Sequence, residues 1–149
     1  MERTTRLFHL VSYLQYPFHL WGLYHIVKVY IVLFGGFDGN LEPMLPDIQN
    51  SLIFMGIGMS FSTLQDTKKT QNNISKKIWQ SPTKGKIFIF SLAASNLFMF
   101  VLGISGLYVS QDNALSEVSL GLIVFAIGIL GVLKAAMEMF ENHRLDKNG

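Results

Sequence analysis

The residues of this chain that could do chemistry inside a membrane are His25 and Lys28, in the segment WGLYHIVKVYIVLFGG at residues 21–36. Residues three apart lie on the same side of a helix. A cation in the middle of a bilayer costs about 2.5–3.5 kcal/mol unless it is paired or faces water. Three arrangements of Lys28 stay open: it snorkels to the headgroups, it pairs with Glu117 as the acid positioned to meet it, or it lines a polar cavity.

Four further polar residues lie in apolar surroundings later in the chain: Ser60, Thr63, Ser95 and Asn96. Together they could line a path for an ion or a small polar solute. Alternatively, they are packing residues, because small and hydroxyl-bearing side chains let helices approach each other closely in lipid. The packing interpretation also accounts for the glycines of these segments.

The sequence lacks the residues that several other kinds of chemistry require. The chain has no cysteine, which excludes thiol catalysis and disulfides. The histidines do not fit a bis-histidine haem within one chain or a metal site of usual spacing, because His9, His19 and His25 share the first apolar segment and His143 lies in the tail. The sequence also carries no phosphate-binding loop, paired intramembrane carboxylates or nucleophile motif. We therefore expect no cofactor, no metal and no enzymatic activity.

The composition indicates a membrane protein. Half of the 149 residues are hydrophobic and only 15% are charged, whereas about a quarter of a typical soluble domain is charged. A charged fraction this low is typical of a protein that is partly surrounded by lipid.

The apolar residues form four segments, at roughly 13–36, 48–65, 87–109 and 118–139. A helix needs about 20 residues to cross a hydrocarbon core of about 30 Å. The sequence thus predicts an all-α protein in which residues 1–149 form one four-helix transmembrane bundle. Pro17 predicts either a kink in the first helix or an interfacial helix that ends near Tyr16.

The charges of the connections predict the orientation of the chain. The connection after the first segment carries Asp38, Glu42 and Asp47, and the one before the fourth is also acidic, whereas residues 66–86 carry six lysines against Asp66. Because basic loops stay in the cytoplasm, we expect a cytoplasmic loop at 66–86 and cytoplasmic termini. The expected location is a bacterial-type inner membrane, crossed several times.

The lysines of the basic loop are candidates for contact with anionic lipid, which attracts basic residues near a membrane surface. The alternative is a solvated loop that only fixes topology. The candidate residues are Lys68, Lys69, Lys76, Lys77, Lys84 and Lys86. The net charge of +2 gives no reason to expect nucleic acid as a partner.

These patterns favour a small integral membrane protein that serves as a non-enzymatic structural or accessory subunit. The expected partners are the lipid bilayer and either copies of the same chain or another membrane protein. The alternative is a homo-oligomeric channel or carrier for an ion or small polar solute, which would use His25, Lys28 and the hydroxyl groups of the second and third segments.

Overall fold

A computed structural model describes residues 2–36, 38–65, 73–109 and 114–148. The described residues are almost entirely helical and contain no strand, which confirms the all-α class. The α-helices are α1 (Glu2–Ser12), α2 (Gln15–Phe34), α3 (Leu45–Ser62), α4 (Asn73–Gln80), α5 (Pro82–Leu107) and α6 (Ala114–His143).

The α-helix is interrupted between α1 and α2, just before Pro17. A proline removes one backbone donor and crowds the carbonyl four residues earlier, which here belongs to Tyr13. That carbonyl instead accepts from the Tyr16 N–H at 3.1 Å, as part of a short run of tighter turns. The first helical segment is therefore interrupted at residues 13 and 14, and Pro17 lies in the first turn of α2.

The long helices pack in the order α2, α3, α6, α5. Helix α3 packs against both α2 and α6, and α6 packs against α5, whereas in the described part of the chain α2 and α5 have no extensive contact. This arrangement is a row of neighbours and differs from a closed bundle, in which the first and last helices would also meet.

Glycines allow the central helices of this row to approach closely. At Gly56 of α3, an added Cβ would lie 2.6 Å from the carbonyl oxygen of Val124 in α6. An added Cβ at Gly128 would lie 2.9 Å from Gly56 Cα. Both distances are too short for a side chain, so the α3–α6 contact is made by backbone against backbone, as expected where small residues mediate packing in lipid.

Three helical stretches are long and apolar enough to cross a membrane: Arg6–Phe34, which joins the end of α1 to α2, Pro82–Leu107 and Ala114–His143. They correspond to the first, third and fourth predicted segments. The segment predicted at 48–65 forms α3, but with 18 residues this helix is about 27 Å long and its first turns are polar. The described residues therefore show three candidate spans, and α3 is a shorter helix packed between two of them.

From residue 73 onward, the predicted loop over residues 66–86 is largely helical in the structure. Residues 73–80 form α4 and residues 82–86 begin α5, because Ser81 caps α5 by accepting from the Lys84 N–H at 3.4 Å and Pro82 occupies the first turn. Residues 66–72 lie outside the described residues.

Helix α4 is held against the end of α6. Trp79 is only 7% exposed and forms an apolar cluster with Ala136 and Phe140 of α6. Its indole N–H donates to Ser75 Oγ at 2.8 Å, which satisfies the one polar atom that enters the cluster. The 30 residues of α6 span about 45 Å, more than a bilayer core requires, so this helix has room for such a contact beyond the membrane.

Candidate functional site

The polar cluster of this chain lies between α2 and α3 and is built on Asp47. One carboxylate oxygen, Oδ1, accepts from Lys28 Nζ at 2.8 Å and from His25 Nδ1 at 2.7 Å. Because an ionised carboxylate can only accept, the protonated ring nitrogen of His25 is the one that faces Asp47. The three side chains thus form one network that joins two helices.

Helix geometry explains why these residues meet. His25 and Lys28 are one turn apart on α2. Asp47 occupies the third position of α3, where a carboxylate also interacts favourably with the positive end of the helix dipole. The side chain of Phe54 completes the site from α3, since its ring stacks on the imidazole of His25 at 5.8 Å between centroids.

The site is buried on one side and open on the other. The side chains of His25 and Asp47 are 11% and 13% exposed, whereas that of Lys28 is 44% exposed. Lys28 therefore reaches Asp47 with its ammonium group while part of its stem faces the surroundings of the protein. Its ammonium also lies 5.9 Å from the centre of the Tyr24 ring, near the limit of a cation–π contact.

Of the three arrangements left open for Lys28, the structure shows an ion pair, with an acid other than Glu117. The charge pattern of the sequence predicts Asp47 in a connection and offers Glu117 as an acid for Lys28, whereas the structure pairs Lys28 with Asp47. The reason is that α3 begins at Leu45, so Asp47 belongs to a helix that packs along α2. The Pro-Asp pair before an apolar run is a typical helix start and could have indicated this position.

Glu117 lies elsewhere, in the first turn of α6. It lines a cavity of about 280 Å³ formed with the start of α3 and the connection that precedes it. The other lining residues are Gly39, Asn40, Leu41, Glu42, Leu45 and Ala114.

The four residues of the suggested polar path do not form one path in the described part of the chain. On α3, Ser60 Oγ donates to the Gly56 carbonyl at 3.0 Å and Thr63 Oγ1 donates to the Ser60 carbonyl at 2.7 Å. On α5, Ser95 faces outward, whereas Asn96 is 4% exposed. The two pairs are separated because α6 packs between α3 and α5.

The arrangement has limited chemical capability. Its contacts are two hydrogen bonds to one carboxylate oxygen, from Lys28 and from His25. Among the residues that the structure describes, no group of three or more histidine, aspartate or glutamate side chains could hold a metal ion. The cluster can therefore tie two helices together.

The candidate lipid-binding lysines lie at the other end of the molecule, in α4 and the first turns of α5. Lys76, Lys77, Lys84 and Lys86 are all exposed. Lys68 and Lys69 lie outside the described residues.

Comparisons with known proteins find no matching family model, no matching curated protein and no matching solved structure. The residues that the structure describes define an all-helical protein with three helices long and apolar enough to cross a membrane. Its function has to be argued from its own contacts and surfaces.

Proposed function

We propose that this chain is a four-span integral membrane protein and a non-enzymatic accessory subunit of a membrane assembly. In this proposal α3 crosses as the shortest of four helices, both termini and α4 face the cytoplasm of a bacterial-type cell, and the chain binds another membrane protein through the outer face of the helix row.

The observation that carries the proposal is that four polar side chains of α2 and the α3 region are engaged in hydrogen bonds within the protein. Lys28 and His25 bind Asp47, and the hydroxyl groups of Ser60 and Thr63 bind their own helix. Side chains that are engaged in this way fix the helices and do not line an open route for a solute. This supports a structural role more than a catalytic or conducting one.

One helix face supports the binding of a partner within the membrane. On α5, Ser91, Ala94 and Ser95 are exposed and lie on one side, because residues three and four apart share a helix face. Leu97 and Phe98 continue this exposed surface. Small side chains and hydroxyl groups on an otherwise apolar face favour close packing with another transmembrane helix, because they allow backbone approach and hydrogen bonds across the contact.

Site-directed photo-crosslinking tests this proposal. A photoreactive phenylalanine analogue at Ala94, on the proposed partner face, is compared with one at Leu20, an exposed apolar position on α2 that is 67% exposed. We expect the probe at Ala94 to form one discrete crosslink to a different membrane protein, and the probe at Leu20 to form none of that mass. Crosslinks from Ala94 only to lipid, or only to a second copy of this chain, would contradict the proposed role.

The second candidate function is a homo-oligomeric channel or carrier, and the observation that favours it is the cluster of His25, Lys28 and Asp47. The partial exposure of Lys28 leaves one side of this cluster open to the surroundings. In an oligomer, this open side could line a polar passage between subunits. This function requires copies of the chain to meet along α2.

A further inference from the structure

A lysine-rich surface lies at the cytoplasmic end of the proposed topology, and within the described part of the chain none of its lysines forms an ion pair with an acid. In residues 73–86 the sequence has four lysines and no acidic residue. We propose that α4 and the first turns of α5 form a binding site for the headgroups of anionic phospholipids in the bilayer that surrounds the protein.

The lysines are held in place by the fold. Trp79 anchors α4 to α6, and its ring meets that of Phe88 of α5 edge to face at 5.4 Å. Since α4 and α5 are joined by the single residue Ser81, this anchoring fixes both helices relative to each other. The exposed pair Lys76 and Lys77 on α4 is therefore displayed close to the start of α5.

A close contact holds the start of α5 in the same way. Gly85 is buried beneath the ring of Phe140, where a side chain would collide with the ring. The residues on either side of Gly85, Lys84 and Lys86, are exposed. The backbone is thus pressed against α6 at Gly85, while the lysines on either side of it are exposed.

The depth of this surface matches that of lipid headgroups. Helix α5 is a candidate span, and its continuous apolar sequence begins at Ile87, directly after Lys86. A helix leaves the hydrocarbon region at about this point, and lysines there meet the phosphate layer. The exposed side chains of Ile74 and Ile87 provide apolar contacts with the upper acyl chains, as in basic amphipathic helices that lie at a membrane surface.

The acidic residues nearby are already used. At the end of α6, Glu138 pairs with Lys134 at 2.9 Å, and Glu141 pairs with Arg144 at 3.3 Å. These local pairs leave the lysines of α4 and α5 as the positive surface that faces the headgroups. Attraction of anionic lipid by such residues amounts to about fivefold in binding for each lysine near the surface.

Native mass spectrometry of the full chain tests the site. The protein is purified in mild detergent, incubated with equal amounts of phosphatidylglycerol and phosphatidylcholine, and the ratio of bound lipids is measured. A detergent micelle does not have an inner and an outer face. The result therefore does not depend on the orientation that a variant adopts in the membrane. We expect the wild type to prefer phosphatidylglycerol, and we expect this preference to weaken as salt rises, since salt screens exposed charges.

Matched variants distinguish lipid binding at the proposed site from a nonspecific effect of the positive charge of the protein. Replacing Lys76, Lys77, Lys84 and Lys86 together by glutamine should lower the preference at least about fivefold, whereas replacing all four by arginine should retain it. Lys134→Gln removes a lysine of α6 that pairs with Glu138 and should leave the preference unchanged. No preference in the wild type, an unchanged preference in the glutamine variant, or an equal loss in Lys134→Gln would each overturn the proposal.

A further pair of variants tests the role of the docked helix. Trp79→Ala keeps every lysine but removes the anchor of α4, and we expect it to lower the preference for phosphatidylglycerol. Trp79→Phe keeps an aromatic ring in the apolar cluster and should retain most of it. Equal lipid preference in both variants and the wild type would show that α4 need not be docked, which contradicts a site built by the fold.

Discussion

Lys28 Nζ lies 2.8 Å from Asp47 Oδ1, so the cation in the apolar helix α2 is neutralised by the first turn of α3. The same oxygen accepts from His25. A charge that would be costly to insert alone is therefore carried as part of a pair, and the pair also sets how α2 and α3 lie against each other.

Asp47→Asn should destabilise the protein. The substitution keeps the shape of the side chain but removes the negative charge, so Lys28 loses its counter-ion and the buried ring of His25 keeps at most a weaker acceptor. Hydrogen bonds to a charged partner contribute about 1.5–3 kcal/mol, and we expect the substitution to remove a large part of this stabilisation. Thermal unfolding in detergent, followed by circular dichroism, measures the effect.

Asp38→Asn is the control for this prediction, since Asp38 is an exposed acid in the connection that precedes α3. Its effect should stay within about 0.5 kcal/mol, as for most surface substitutions. Equal unfolding temperatures for Asp47→Asn and the wild type would contradict a stabilising role of the cluster.

Gly128→Ala should weaken the contact between α3 and α6. The added methyl group would meet the backbone of Gly56, which cannot move aside without shifting the whole helix. Overpacking of this kind costs about 1–3 kcal/mol. Unfolding of the purified protein under increasing denaturant in mixed micelles provides the measurement.

Gly131→Ala is a matched control one turn later on α6. There an added Cβ would lie 2.9 Å from Cγ2 of Thr63, a side chain that can move. We expect this variant to be near neutral, because alanine also has the better helix propensity. If both alanine variants were equally stable, the close backbone contact would not be the basis of α3–α6 packing.

The proposed topology predicts opposite accessibility of the two connections that flank α3. The chain has no native cysteine, so single cysteines report unambiguously. In intact cells, a membrane-impermeant maleimide should label Leu41→Cys and leave Lys77→Cys unlabelled until the membrane is opened. Labelling of both positions from outside, or of Lys77→Cys alone, would be inconsistent with a membrane crossing by α3 in the proposed direction.

The channel or carrier alternative makes a separate prediction for His25 and Lys28. If the cluster lines a passage, Lys28→Ala and His25→Ala should change ion or proton flux in proteoliposomes without lowering the amount of inserted protein. Under the accessory-subunit proposal, neither the wild type nor the variants show flux above that of empty vesicles. A specific flux that disappears in both variants would favour the alternative.

The sequence was sufficient to predict the helical class and three apolar segments that could cross a membrane, because these depend on composition and on the length of apolar runs. It also singled out His25 and Lys28, because polar residues in an apolar segment are conspicuous. The role of Asp47 was missed because its acidic neighbours in the chain made it resemble a loop residue. The structure places it in a helix, where its position depends on the contact between α2 and α3.

The docking of α4 was equally hard to predict from sequence. Its eight residues include asparagine, serine and two lysines, a composition that also suits a solvated loop. What holds α4 in place is the burial of Trp79 against Phe140, more than 60 positions later in the chain. Nor could the order of the helices be predicted, since it depends on which glycines meet across helices.

Native mass spectrometry of the protein, extracted in its own lipids from the cells that make it, tests the central claim most directly. The accessory-subunit proposal predicts a complex in which this chain occurs in fixed ratio with a second membrane polypeptide. A species that contains only this chain, as a monomer or a homo-oligomer, would contradict the proposal. A homo-oligomer would favour the channel or carrier alternative, in which the cluster of His25, Lys28 and Asp47 lines a conducting passage.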